Sequence, residues 1–196
     1  KSYGRIPDGT GDFKTLDTPT PGAANVDNTA PQTCGNSALD TGEVCDGALL
    51  DGGTCVGEGF AGGTLTCNAT CTGYVLTACT AWEDAILINE VGSKGDDIVE
   101  LYNSGDASFV LTGWSLVDST YPTDIDHIYT FTAADEIGPG GYFVMIKDSH
   151  HTFGLGGDDA VILRNANDDI VDQADWPDGG AVISYCRIPN VTGSFK

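Results

Sequence analysis

Basic residues, methionine and long apolar runs are all scarce in this chain. Lys and Arg number 8 against 29 Asp and Glu, a formal net charge of −21 over 196 residues. A surface of that sign repels phosphate, so neither nucleic acid nor an anionic membrane is expected as a partner. The longest apolar runs, such as Gly-Tyr-Phe-Val-Met-Ile at 141–146, are far too short to cross a bilayer, and no membrane insertion is expected. No window sustains a helical period. No initiating Met and no signal peptide are present. An exported chain loses its signal upstream, so a processed or excised segment is expected.

The constellations of catalysis are also missing. Asp40-Thr41-Gly42 spells the aspartic-protease triplet, but it lacks a flanking apolar strand and a second copy to share a proton with. Gly57, Gly59 and Gly62 match a dinucleotide fingerprint by letters alone, since they lie between cysteines with no strand–helix unit. His127, His150 and His151 have no paired Cys and no HExxH spacing. Neither Ser nor Cys sits in a nucleophile elbow. The chain is not expected to be an enzyme.

Gly is plentiful, at 27 residues, and favours turns over helices. Seven Cys are present, six of them between 34 and 79: Cys34, Cys45, Cys55, Cys67, Cys71 and Cys79. None form a CxxC pair, which argues against a zinc ribbon. Six cysteines in a short Gly-rich segment with few apolar residues read as a disulfide framework and an oxidising compartment, secreted or at the cell surface. Six allow fifteen connectivities, which spacing does not distinguish. Cys186 is left over, either as a buried free thiol or as an inter-chain staple. Carboxylates gather in turns, notably Asp8 with Asp12 and Asp40, Glu43 and Asp46. Two readings stay open for them: a solvated acidic surface, or a bound Ca²⁺, for which carboxylates are suitable hard ligands. No other cofactor is expected.

Beyond residue 80 the pattern turns to short apolar runs separated by Gly, Asp, Asn and Pro. Strands are expected at 85–91, 98–102, 109–117, 128–131, 142–146, 160–163, 170–174 and 182–188. Short strands at this spacing describe an all-β sandwich. Trp114, Leu116, Tyr142, Val144 and Leu163 are its expected core. Trp82, Tyr121 and Trp176 would favour ligand binding if exposed on loops.

Two resemblances follow from particular residues. The opening Cys34-Gly-Asn-Ser-Ala-Leu-Asp-Thr-Gly-Glu-Val-Cys45-Asp-Gly and the later Gly62-Gly-Thr-Leu-Thr-Cys67-Asn-Ala-Thr-Cys71 resemble a cysteine-rich repeat of large bacterial surface and secreted proteins. That implies a stapled spacer module. Ile88-Asn89-Glu90-Val91, Val99-Glu100-Leu101-Tyr102-Asn103, Leu111-Thr112-Gly113-Trp114-Ser115-Leu116 and Asp172-Gln173-Ala174 resemble the lamin tail domain in its bacterial form. This implies an immunoglobulin-like β-sandwich over 85–196. The family's closing stretch, an S-x-x-R-x-P motif followed by T-P-G-x-x-N, is matched in full at 2–25.

That closing stretch occurs twice. Residues 2–14 and 184–196 are identical at nine of thirteen positions, without a gap, at an offset of 182. The second copy has Asn190-Val191 where the family favours Asp-Gly, and no T-P-G-x-x-N follows it. One sandwich without its tail and one tail without its sandwich are therefore expected within these residues. The expected organisation is an extended segment at 1–33 completing a neighbouring copy, a cysteine-rich module at 34–80 and a sandwich at 81–196. A tail built on Thr15, Leu16, Pro19, Pro21, Gly22 and Asn25 would add to the open edge of a neighbour, joining separate copies, or tandem repeats of one longer chain, head to tail as a filament or surface array. An adhesion or ligand-binding module and an accessory domain of a secreted hydrolase are the alternatives.

Overall fold

A computed structural model of the chain describes residues 1–16, 19–26, 34–190 and 192–196. Residues 27–33, part of the expected extended segment, lie outside it. Among the described residues all regular structure is strand, apart from a single 3-10 turn at Trp82–Asp84. In chain order the strands are β1 (Ser2–Ile6), β2 (Asp12–Leu16), β3 (Gly62–Gly63), β4 (Thr66–Cys67), β5 (Tyr74–Val75), β6 (Cys79–Thr80), β7 (Ile86–Gly92), β8 (Ile98–Asn103), β9 (Phe109–Val110), β10 (Ser115–Asp118), β11 (Ile128–Thr130), β12 (Glu136–Ile137), β13 (Tyr142–Ile146), β14 (Asp159–Arg164), β15 (Ile170–Trp176), β16 (Tyr185–Ile188) and β17 (Ser194–Phe195).

The chain divides into two compact units. One comprises Lys1–Gly53 and Leu65–Leu76, the other Thr54–Thr64 and Thr77–Lys196.

In the second unit an antiparallel sheet of order β11-β10-β14-β15 and one of order β13-β8-β7-β16-β17 form the immunoglobulin-like sandwich. Alternation along strands such as β8 and β13 supplies part of the core, while β10 is buried throughout. Ile86, Ile88, Val99, Leu101, Leu116, Met145, Val161 and Leu163 are all completely buried and packed in one cluster. Each such side chain contributes about 1.5–3 kcal/mol relative to exposure.

Three expectations change. The strand expected at 109–117 is two strands. Between them Trp114 N–H donates to Leu111 C=O at 2.9 Å, in a turn where Gly113 takes φ +80°, a conformation that disfavours a side chain. The strand expected at 182–188 starts only at Tyr185, which pairs with Val91. Strand β7 ends at Gly92, so Val182 and Ile183 meet no partner strand there and are exposed. Trp114, Leu116 and Leu163 are in the core, but Tyr142 and Val144 are 50% and 42% exposed. The parity of β13 is the reason. It is the outer strand of its sheet, Met145 and Phe143 face inward, and side chains alternate with period two.

The first unit has little apolar core. Leu16, Cys45 and Cys71 are its fully buried hydrophobic residues among those described. Cross-links Cys34–Cys71 and Cys45–Cys67 hold it, and Cys55–Cys79 lies in the second unit. At separations of 37, 22 and 24 residues, each removes about 3–4 kcal/mol of chain entropy from the unfolded state. All six cysteines of the expected framework are therefore bridged, and Cys186 is free.

Candidate functional site

The repeated stretch folds as the same hairpin twice. Arg5 pairs with Phe13, and Ile6 with Asp12. At the other end Arg187 pairs with Phe195, and Ile188 with Ser194, in identical register. Tyr3 stacks on Phe13 with centroids 5.3 Å apart and planes 12° apart, and Tyr185 on Phe195 at 5.2 Å and 11°. Each guanidinium lies 4.3 Å over its Phe ring. Both turns close by a glycine N–H donating to a proline C=O at 2.8 Å, Gly11 to Pro7 and Gly193 to Pro189. The glycine is obligatory. A Cβ on Gly11 would fall 2.0 Å from the Ile6 carbonyl carbon, and one on Gly193 2.1 Å from that of Ile188.

The two copies differ in what covers them. The C-terminal hairpin lies against the sandwich. Tyr185 and Cys186 pair with Val91 and Glu90 of β7, and Tyr185 and Phe195 pack on the core cluster. Ser184 Oγ donates to Glu90 Oε1 at 2.6 Å. Arg187 Nε donates to Ile88 C=O at 2.9 Å, and Nη2 to Asp172 Oδ1 at 2.7 Å. The other oxygen of Asp172 accepts Ile88 N–H at 2.8 Å. One carboxylate on β15 thus binds the first strand of the opposite sheet and the closing hairpin together, as a charge-assisted junction.

In the N-terminal hairpin the same face is bare. Tyr3 is 69% and Phe13 50% exposed, Arg5 is exposed and donates to Gly11 C=O, and β1 has β2 as its only strand partner among the described residues. The opposite face is covered by the tail. Asn25 N–H donates to both oxygens of Asp8, at 3.0 and 3.2 Å, and its side-chain amide donates to Arg5 C=O at 3.1 Å. Thr20 Oγ1 donates to Asn25 Oδ1 at 3.1 Å. Leu16 is completely buried. A Cβ on Gly4 would meet Asn25 Nδ2 at 2.8 Å and Leu16 Cδ1 at 2.9 Å, so the glycine lets the tail approach. Of the segment expected to assemble copies, Leu16 and Asn25 seat on their own hairpin, while Thr15, Pro19, Pro21 and Gly22 are exposed. The counterparts of Gly4 and Asp8 in the second hairpin are Cys186 and Asn190. Asn190 donates instead to Tyr142 Oη at 2.7 Å.

The candidate metal ligands are spread over two places. Asp8 holds Asn25, and Asp12 is exposed at the start of β2. Asp46, 2% exposed, accepts backbone N–H groups of Gly35, Asn36 and Ser37 at 2.6, 3.2 and 2.9 Å. Glu43 accepts Asp40 N–H, and Asp40 accepts the Asn36 side chain. Among the described residues Glu43, Asp46 and Cys71 alone place three such ligand atoms within 4.8 Å. Cys71 is already bonded to Cys34.

A second concave feature lies at one end of the sandwich. Ile125, Asp126, His127, Ile128, Thr152 and Phe153 line an open cleft of about 590 Å³. His127 Nδ1 lies 2.5 Å from Asp118 Oδ2 and Nε2 3.5 Å from Asp124. The hydrogen bond to Asp118 holds the imidazole pKa above its ordinary 6.5, against desolvation. His151 sits between Phe153 and Asp97 carbonyls, and burial pushes its pKa down. Of the three discriminating aromatics, Trp176 is on strand β15 rather than a loop, is 1% exposed and donates to Gly156 C=O. Trp82 stacks on Phe109 at 4.4 Å, and Tyr121 is half-buried. The Arg187–Asp172 junction was not anticipated, because its members come from different strands. The repeated arginine was the available signal.

The model of the family described as Lamin Tail Domain matches residues 80–178, which span β7 through β15 and include Asp172. A comparison with curated proteins found no match. The bridged 34–79 segment agrees with the resemblance to a cysteine-rich repeat, and three disulfides are compatible with an extracellular setting. No helix among the described residues is long and apolar enough to cross a membrane.

Proposed function

Because the chain belongs to the lamin tail domain family, we propose that it is an extracellular structural module whose copies join head to tail, the first 26 residues of one engaging the sandwich of the next. The observation that carries this reading is the duplicated hairpin, whose second copy is docked on the sandwich while the first has its aromatic face exposed among the described residues. Exposed stacked aromatics and an unpaired strand edge favour pairing with another chain. A contact between unlike ends is heterologous and propagates unless it closes into a ring. The partner is another copy, with no role for nucleic acid or membrane insertion, and the module is non-catalytic. The charge of −21 keeps such an assembly soluble along its sides.

A second reading, adhesion through the cleft at His127 and Phe153, is supported by Ile125, 75% exposed at its rim. Negative-stain electron microscopy of the native material, with light scattering over a concentration series, separates the two. Regular fibres or oligomers with a one-chain axial repeat support joining. Dispersed single chains at every concentration overturn it in favour of adhesion.

A further inference from the structure

We infer that the bare face of residues 2–16 docks on β7 and Asp172 of a second copy, in the place of that copy's own closing hairpin. The inference rests on the head-to-tail reading and names its contacts. The chain itself displays the receptor occupied. Side chains through which the C-terminal hairpin touches the sandwich have identical counterparts in the N-terminal one: Ser2 for Ser184, Tyr3 for Tyr185, Arg5 for Arg187 and Phe13 for Phe195. The ring stack and the guanidinium are already in docked geometry in the free hairpin, so little ordering opposes association. The one contact without an identical counterpart is that of Asn190 with Tyr142.

The bound state is then defined atom by atom. Arg5 donates to the partner's Ile88 C=O and to its Asp172 carboxylate. Ser2 donates to the partner's Glu90. Tyr3 and Gly4 extend the ladder of β7, and Tyr3 and Phe13 cover the core face that Tyr185 and Phe195 cover now. The displaced hairpin is released to solvent. Because the exchanged contacts are nearly the same, concentration decides occupancy, as in domain swapping. The tail at 19–25 travels with its hairpin, since it seats on Leu16, Gly4 and Asp8 of its own copy. The joining element is therefore hairpin and tail together, not the tail alone.

Disulfide trapping between full-length chains tests this. In a Cys186→Ser background, Ser2→Cys is placed in one chain and Glu90→Cys in another, and the two are mixed and oxidised. The intrachain counterpart of this pair has oxygens 2.6 Å apart. The expected result is a covalent heterodimer on a non-reducing gel, falling at least tenfold when Arg5→Ala is added to the Ser2→Cys chain. A yield no higher than that of Ser2→Cys with Ser119→Cys, or one indifferent to Arg5→Ala, overturns the inference. Should the Glu90→Cys chain fail to fold, Arg187→Ala replaces it. That variant is expected to gain mass in light scattering, whereas Arg5→Ala/Arg187→Ala does not, and equal masses overturn the inference. Fibres without trapping leave the head-to-tail reading standing and remove this contact. Single chains without trapping remove both.

Discussion

Asp172→Ala offers a sharp test of how the sandwich is closed. The carboxylate accepts Ile88 N–H at 2.8 Å and Arg187 Nη2 at 2.7 Å. Its side chain is 11% exposed and that of Arg187 18%, so water does not replace it freely. The truncation strands a mostly buried guanidinium and a backbone donor. Hydrogen bonds to charged groups contribute about 1.5–3 kcal/mol each, and breaking a buried pair from one side costs about 3–5 kcal/mol. Residual exposure puts the expected loss near 3 kcal/mol. For a unit of this size that lowers the melting temperature by about 10 °C. Near-UV circular dichroism is a suitable probe, since Trp82, Trp114 and Trp176 all belong to the sandwich unit. Asp175→Ala is the control. Asp175 is exposed and bonds only the neighbouring Gln173 among the contacts described, so its loss should stay within about 0.5 kcal/mol. Equal shifts for the two variants would refute the junction. Asp172→Asn should fall between them, because its Oδ1 still accepts Ile88 N–H while its amide faces the guanidinium.

Three further outcomes are expected. Met145→Ala should cost about 2–5 kcal/mol in urea denaturation and Val144→Ala under about 1; the reverse order would mean that the parity of β13 is wrong. Replacing both Cys55 and Cys79 by Ser should remove about 3 kcal/mol, given their separation of 24 residues, and expose 54–64 to limited proteolysis; an unchanged digest would argue against that bridge as a constraint. Since the folded pKa of His127 is raised above 6.5 by Asp118, its stabilisation is complete below 6.5 and is lost as pH rises through the folded value. The melting-temperature difference between the wild type and His127→Gln should therefore shrink with rising pH in that window, and a difference that grows would contradict the pairing.

Much of the architecture was legible because it rests on local chemistry. The cysteine count anticipated three bridges and a leftover thiol at 186, and alternation around Trp114 and Leu116 marked strands of a sandwich. Pairing among the six cysteines was not legible, because connectivity depends on how the turns bring residues 34 and 71 together. In β13 five successive bulky residues erase the alternation, so only the sheet decides that 143 and 145 face inward. Asp46 reads as a metal ligand from composition. Its environment is three backbone N–H groups, which loop geometry creates. Arg187 and Asp172 lie 15 residues apart on strands of opposite sheets, and no spacing rule connects them.

The two hairpins also form a natural transposition experiment. Of their four differing positions, 4/186 and 12/194 lie on the face away from the sandwich, 8/190 lies beyond the paired strands, and the fourth is 9/191. The face that carries Tyr, Arg and Phe is unchanged, and only the contact of Asn190 with Tyr142 is lost. A chain with residues 2–14 and 184–196 interchanged should therefore still close its sandwich. At its start, however, it would carry a cysteine where the tail needs a glycine and an asparagine where Asn25 N–H needs a carboxylate. Interchange is thus permitted in one direction only, which gives the module a defined front and back.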